Sequence, residues 1–355
     1  MPNVASGSKI LVTGANGFIA TYAIRDLLEQ GYTVRGTVRS EARGAFVRNE
    51  FRSYGDRFEL AIVEDVIKEG AFDEAIKDVD AILHLAAPVL KKYKHPKEVI
   101  DPAVNGTLGI LRSAQAVSSV KRVILMGSCV SVTSPSPSPN KVWNENNWNE
   151  WCLEEYEKNG VNTPEDVVYQ VEKVLSERAA WSFYNENKHQ LSWDMAVILP
   201  PFVFGPYIGE AKNPSEMNYT AKVFYDYIVD FNSLGQPNEA LASHAFIWVH
   251  VRDISLSLVK SLSVAEVAGE RMIVSAGGFT WQDWIDVANS LSPSPIPSHA
   301  PGTAKALPRG NPGAGKAVQR GILEVTKEQK IFGLKYRSME ECARDMLADI
   351  ERRGF

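Results

Sequence analysis

The sequence predicts an α/β fold in which a doubly wound parallel sheet carries a smaller, discontinuous C-terminal substrate lobe. Three observations predict it. Short apolar, often β-branched runs recur along the first 130 positions, helix-period segments separate them, and the first run leads straight into a glycine-rich turn. Runs that are apolar throughout, rather than alternating, suit parallel strands covered on both faces.

In chain order, strands are expected at Lys9–Thr13, Thr33–Val38, Phe58–Val63, Ala81–Leu85 and Arg122–Met126. Segments such as Phe18–Gln30 and Pro102–Val117 supply the crossovers, which are right-handed in nearly all parallel sheets. A further strand, Trp193–Leu199, follows a long helix, and the apolar runs Phe246–Val251 and Arg271–Ser275 are expected to extend the same sheet. Residues 1–203, with a contribution from 244–275, are thus assigned to the sheet domain, and 204–243 with 276–355 mainly to the lobe. Two Pro/Ser-rich stretches, Ser134–Asn140 and Ser292–Pro301, exclude helix and central strand and read as loops. The first opens an irregular segment reaching Asn162 that contains Trp143, Trp148 and Trp151, a content that argues for a lid or a lobe contact rather than disorder.

With 355 residues, 45% of them hydrophobic, the chain can bury a large core in two lobes. Its net charge of -5 offers no broad basic field, so neither nucleic acid nor an anionic membrane is an expected partner. No apolar run reaches the roughly 18 residues of a membrane span, and the first ten residues lack a signal-peptide pattern. A cytoplasmic monomer or homodimer is expected. The three cysteines lack a C-x-x-C spacing and the six histidines lack helical metal-ligand spacing, so neither a disulfide framework nor a bound metal is expected.

Strand Lys9–Thr13 runs into Gly14-Ala-Asn16-Gly17-Phe18-Ile19-Ala20 and then a helix, a G-x-x-G-x-x-A spacing. Gly14 permits the tight turn, Gly17 lets a pyrophosphate approach the backbone, Ala20 lets the helix lie close on the sheet, and the helix N-terminus offers N–H groups to the anion. This is a Rossmann-type dinucleotide cradle. The second strand ends Gly36-Thr-Val-Arg39-Ser40, without the acid that would accept hydrogen bonds from a ribose 2′-hydroxyl. Arg39 and Arg43 can instead pair with a 2′-phosphate, so NADP(H) is favoured over NAD(H). A second phosphate-loop spacing, Gly310-Asn-Pro-Gly-Ala-Gly315-Lys316-Ala317, lacks the hydroxyl that would hold magnesium and is read as a connection.

A tyrosine four residues before a lysine shares a helix face with it, where the ammonium favours the phenolate and makes the phenol a usable proton donor. The spacing occurs at Tyr93/Lys97, Tyr169/Lys173 and Tyr184/Lys188, so position has to decide. Pro96 breaks the first pair, which reads as solvated loop. Tyr169 lies near a helix start signalled by Thr163 as cap, Pro164, Glu165 and Asp166. Tyr184 is fifteen residues, or about 22 Å, further along, away from the strand ends where ligands bind. Ser128 immediately follows the strand Arg122–Met126 at that same edge, ahead of its competitors Ser131 and Ser134, and can hydrogen-bond a substrate carbonyl.

These residues, with Val12–Ala20, Arg39-Ser40, His84-Leu-Ala-Ala-Pro88, Pro102-Ala-Val-Asn-Gly-Thr107, Phe204-Gly-Pro206 and Val251-Arg-Asp253, resemble the extended short-chain dehydrogenases of the dihydroflavonol-reductase-like branch. The resemblance runs nearly end to end and is strongest to microbial NADPH-dependent aldehyde, methylglyoxal and ketone reductases. It implies reduction of an aldehyde or ketone by NADPH, with Tyr169 as acid, Lys173 bridging the nicotinamide ribose hydroxyls and the tyrosine, and Ser128 orienting the carbonyl. It also implies that Thr13, Asn16, Phe18 and Ile19 join Gly14 and Gly17 around the cofactor, and that Asp65, with Val66, meets the adenine. Ala86 would meet the central part, and Pro200 with Val203 the nicotinamide.

Two departures stand out: Met126-Gly127 replaces the family's usual Thr-Ser, and Glu172 stands before the lysine where Ser is usual. Glu172 points about 100° from Lys173 on a helix. That orientation allows it to stay solvated, whereas a carboxylate close to the pair would oppose phenolate formation. Val89, Leu90, Phe202 and Phe246 are candidate substrate-pocket residues, apolar enough for medium-sized carbonyl compounds. A 3β-hydroxysteroid-type dehydrogenase, a sugar-nucleotide epimerase and a non-catalytic NADP sensor are the competing readings, the last opposed by joint retention of Ser128, Tyr169 and Lys173.

Overall fold

The computed structural model describes residues 4–87, 93–135 and 141–355. The strands are β1 (Lys9–Thr13), β2 (Thr33–Val38), β3 (Phe58–Ile62), β4 (Ala81–His84), β5 (Arg122–Met126), β6 (Val142–Trp143), β7 (Asp194–Leu199), β8 (Phe202–Phe204), β9 (Phe246–His250), β10 (Arg271–Ile273), β11 (Gly277–Phe279) and β12 (Ile322–Leu323). The α-helices are α1 (Phe18–Glu29), α2 (Glu41–Glu50), α3 (Lys97–Gln115), α4 (Glu150–Asn159), α5 (Glu165–Asn187), α6 (Tyr219–Ile228), α7 (Val251–Ser263), α8 (Trp281–Ser290), α9 (Thr326–Ile331) and α10 (Met339–Arg353).

Seven strands pair in parallel in the order β10-β7-β5-β4-β1-β2-β3. The chain leaves β1 in one direction and returns on its other side at β4, so the topological switch point lies between these two strands. Apolar side chains of α1 and α7 cover one face and those of α3 and α5 the other, which is why the strands are apolar throughout.

The run at 246–250 does not extend this sheet. The outer edge of β7 is taken by β10, with Arg271 opposite Val197. Pro200 and Pro201, which lack an N–H to continue the ladder, separate β7 from β8. β8 then pairs in parallel with β9, and β9 antiparallel with β11, to give a separate three-stranded sheet. This sheet carries the lobe, whose core is aromatic: Phe204, Phe224 and Phe279 pack edge-on around the fully buried Trp284.

Other boundaries also shift. α3 starts at Lys97 and runs through Pro102, because its first turn buries Val99 and Ile100 against Val167, Val168 and Val171 of α5. Tyr93 is accordingly half-buried against this cluster rather than solvated. At the start of α5, Thr163 does not cap: its hydroxyl donates to the Gly160 carbonyl (2.7 Å), and Pro164 takes the cap position. The tryptophan-rich segment is a packed contact. Its Trp148 ring lies 3.8 Å from the Arg271 guanidinium, which also pairs with Glu177 at 2.6 Å. In the 310–316 loop, Asn311 N–H donates to Gln282 (2.9 Å) and Gly313 N–H to Asp286 (2.8 Å), so donors that a phosphate would need are bound to α8. Among the described residues, no helix is long and apolar enough to cross a membrane.

Two buried polar clusters tie the sheet together. At its amino edge, Arg122 pairs with Asp194 at 2.6 and 2.8 Å and donates to the Ser261 and Val264 carbonyls, both at 2.7 Å. At its carboxyl edge, the Thr13 hydroxyl accepts the N–H groups of Leu85 and Ala86, each at 3.0 Å. Its own proton therefore goes to His84 Nδ1, 3.0 Å away, which leaves the ring proton on Nε2. Burial, and then the Lys173 charge, push the His84 pKa down to about 4.

Arg122→Met strands the Asp194 carboxylate in a largely buried site and is expected to lower the unfolding free energy by about 3–5 kcal/mol in urea titrations. Arg122→Met/Asp194→Leu should recover part of that loss, because no lone charge remains; a double variant as unstable as the sum of the singles would contradict this account. His84 sets a pH dependence. Unfolded histidine binds its proton near 6.5 and the native ring only near 4, so stability is full above about 6.5 and falls towards pH 4, by about 3 kcal/mol for this group. Urea midpoints between pH 7 and 4.5 should decline less steeply in His84→Asn than in the wild type.

Candidate active site

The glycine turn after β1 sits at the switch point. Gly14 has φ +68°, and a Cβ there would lie 3.1 Å from the Ala86 Cα, in a backbone region that L side chains avoid. Gly17 closes the turn by donating to the Gly14 carbonyl (2.8 Å), and its own Cβ would approach that oxygen to 3.1 Å. Gly17 gives α1 no side-chain cap, and the first turn of α1 carries no acid, so the helix N-terminus presents uncompensated N–H groups. Only bare backbone lets an anion come this close, and the cradle therefore fits a pyrophosphate.

Beyond β2, Ser40 caps α2 by accepting from Arg43 N–H (3.4 Å), and both Arg39 and Arg43 are exposed. Among the described residues neither guanidinium has an ion-pair partner, whereas the neighbouring Glu41 is held by Arg48 at 2.7 Å. Two arginines at this strand end, without an ion-pair partner among the described residues, fit a 2′-phosphate. Asp65 is exposed and accepts from Ile67 N–H at 3.0 Å, while Val66 packs beside Gly106 of α3.

Ser128, Tyr169 and Lys173 border one cavity of about 290 Å³, together with Gly17, Phe18 and Ile19 from the cradle and Pro200 and Val203 after β7. Strand β5 delivers Ser128 to the sheet edge, where its Oγ accepts from Val130 N–H at 3.4 Å. Ser131 and Ser134 do not border the cavity; Ser131 is fully buried. Gly127 donates to the Ile198 carbonyl (2.9 Å), and a Cβ on it would come within 2.7 Å of Leu199 and 3.0 Å of Val197, so the departure at this position brings β5 close against β7. Tyr169 is 44% exposed and therefore reachable by a substrate. The Lys173 ammonium lies 5.5 Å from the centre of the Tyr169 ring, on the same face of α5. Tyr184 stacks on Trp193, remote from this cavity, and Lys188 pairs with Asn185.

Glu172 does not stay solvated. It is buried, and its Oε1 lies 3.0 Å from Lys173 Nζ. Burial draws the Lys173 pKa down, but the Glu172 carboxylate and then Tyr169 more than offset this, and the ammonium is held above its usual range. Glu172 faces a second, smaller chamber of about 40 Å³ behind Lys173.

The proposed substrate residues divide. Val89 and Leu90 lie outside the described residues. Phe202 packs edge-on with Phe246 at 5.7 Å and with Phe279, Phe246 also lies tilted against Phe279 in the lobe core, and neither Phe202 nor Phe246 is in the wall of the 290 Å³ cavity. In their place the lobe supplies Asn218, Tyr219 and Thr220 from the start of α6. Thr220 donates to the Val203 carbonyl (2.6 Å), Asn218 Nδ2 donates to Thr220 (2.8 Å), and the buried Asn218 Oδ1 has no partner within the described residues. The only local signal for them is an asparagine at a helix start, which marks a cap and not a pocket.

The family model described as NAD dependent epimerase/dehydratase family matches residues 10–270. Aldehyde reductase 2 of Sporidiobolus salmonicolor is 33% identical over 96% of this chain and 95% of its own length. The ketoreductase azaE of Aspergillus niger is 31% identical over 96% and 97%. The crystal structure of yeast methylglyoxal/isovaleraldehyde reductase Gre2 complexed with NADPH superposes with a TM-score of 0.80 at 27% identity, covering 98% of this chain and 99% of that one. With the glycine cradle at the switch point and Ser128, Tyr169 and Lys173 on one cavity, these likenesses place the chain in the NAD dependent epimerase/dehydratase family, as an extended short-chain dehydrogenase/reductase.

Proposed function

We propose that the protein reduces aldehydes or ketones to alcohols with NADPH as cofactor. The observation that carries this reading is the convergence of Ser128, Tyr169 and Lys173 on the cavity that the glycine cradle opens into. The cradle of Gly14 and Gly17 with the α1 N-terminus would hold the pyrophosphate, and Arg39 with Arg43 the 2′-phosphate. Asp65 and Val66 would lie at the adenine, Ala86 at the central part, and Pro200 and Val203 at the nicotinamide. Thr13, Asn16, Phe18 and Ile19 complete the surround. The cofactor, when bound, supplies the hydride for the carbonyl carbon.

The protein's own residues handle the oxygen and the proton. Ser128 Oγ–H donates to the carbonyl oxygen and fixes its direction, which stabilises charge developing there. As that oxygen gains electron density, the Tyr169 Oη–H bond breaks and the proton passes to it, giving the alcohol and leaving a phenolate. The Lys173 ammonium, on the same helix face, stabilises that phenolate. The cavity wall is otherwise largely apolar, with Phe18, Ile19, Leu85, Met126 and Pro201, and Asn218 Oδ1 is a buried acceptor on it without a partner among the described residues. A space of about 290 Å³ shared with a nicotinamide suits small or medium carbonyl compounds better than a steroid or a sugar nucleotide. The relatives named as reductases of aldehydes and ketones support the same reading. Three buried free cysteines suit a reducing compartment, and we place the enzyme in the cytosol.

Two measurements test this. Tyr169→Phe, assayed by loss of NADPH absorbance against a panel of aldehydes and ketones, should lose about 10²- to 10⁴-fold in kcat/KM while still binding NADPH; full turnover in this variant would overturn the assignment. Arg39→Ala should weaken NADPH binding by about 10- to 100-fold, as expected for one charge-assisted contact, with little effect on NADH. An unchanged preference for NADPH would show that Arg39 does not read the 2′-phosphate.

A further inference from the structure

Lys173 stands between two spaces. It borders the larger cavity with Tyr169 and Ser128, and it also borders the 40 Å³ chamber enclosed by β4, β5, α3 and α5, which is large enough for water. Three other ionisable side chains reach this chamber: His84 from β4, and Glu172 and Glu177 from α5 itself. His84 is neutral near pH 7, because its pKa is pushed down to about 4. Glu177 is committed elsewhere, accepting from Arg271 at 2.6 and 3.3 Å and from the Trp181 indole at 3.3 Å. Helix α3 contributes Ala103 and Thr107, and β5 and β7 contribute only apolar residues and Gly127. Among the described residues, the one anion left to face Lys173 is Glu172, 4% exposed and 3.0 Å away.

We infer that Glu172 is a positioning residue that shares the charge of Lys173 from behind, so that less of the ammonium's field acts on the Tyr169 hydroxyl and the centre is set to give a proton rather than take one. This rests on the reading of Tyr169 as the proton donor. A lone ammonium beside a phenol favours the phenolate, whereas an ammonium with a carboxylate 3.0 Å behind it acts as a dipole, whose field weakens faster with distance. Without Glu172, two effects follow in the same direction. The full Lys173 charge acts on Tyr169, and Lys173, buried without a counter-ion, gives up its own proton more readily. Whichever proton leaves first, the doubly protonated pair that reduction requires ends at lower pH. Where the Tyr169 proton is the one that leaves first, alcohol oxidation, which needs the tyrosine as a base, gains at the pH where reduction loses.

The test is the pH profile of kcat/KM for carbonyl reduction in wild type, Glu172→Gln and Glu172→Asp. Glu172→Gln should move the basic limb down by about one pH unit or more, the usual size of a neighbouring-charge effect, and Glu172→Asp should keep the limb near that of the wild type. A limb in Glu172→Gln that stays with the wild type or moves up would overturn the inference, as would equal shifts in the Gln and Asp variants. If Glu172→Gln does not fold, Glu172→Ser carries the same comparison. Failure of the underlying reading is visible separately, as turnover that survives Tyr169→Phe.

Discussion

The hydroxyl of Thr13 holds together the place where everything else meets. It accepts two backbone N–H groups just beyond β4 and donates to His84, so the carboxyl ends of β1 and β4 are locked at one height. These are the strands between which the sheet order reverses, and the crevice they open is where an α/β sheet binds its ligand. The clamp also presses Ala86 against Gly14, which explains why the turn tolerates no side chain at 14. Cradle, cavity and inner chamber all border this junction.

Burying Lys173 in that junction creates an electrostatic problem that the fold solves in an unusual way. A buried ammonium needs a counter-charge, and the sheet supplies none: β4 brings a neutral imidazole, and β5 and β7 bring apolar side chains. Helix α5 supplies it from the preceding residue. Glu172 stabilises Lys173 and at the same time takes from it some of the field that would act on Tyr169. On that inference one carboxylate acts on both stability and reactivity, and it borders the inner chamber, not the 290 Å³ cavity.

The lobe is attached by strands rather than by a linker. Two prolines end β7 and turn the chain into β8, which starts a second sheet whose aromatic core is independent of the first. β8 carries Val203 on the cavity wall, and α6 is anchored to it through Thr220, so the lobe is positioned by main-chain contacts at the edge of the site. The aromatic residues Phe202 and Phe246 serve this second core instead of the cavity.

Much of this was legible in the sequence. Unbroken β-branched runs can be stable only when covered on both faces, so they fix parallel strands, and a glycine at the end of the first fixes the cradle. The positions of Arg39 at the end of β2 and of Ser128 directly after β5, on the cavity, are likewise readable because each follows a local motif. What the sequence could not decide is where side chains with several options end up. Glu172 at 100° from Lys173 on a helical wheel reads as solvated, yet α3 covers that face and turns it inward; Phe246 in an apolar run reads as sheet or pocket, yet the one free edge of β7 was already taken by β10. The parallel strands and the glycine cradle follow from local patterning, which the sequence carries by itself, whereas the order of the strands, the partner of Lys173 and the wall of the 290 Å³ cavity depend on which elements pack across them, and only the tertiary structure settles that.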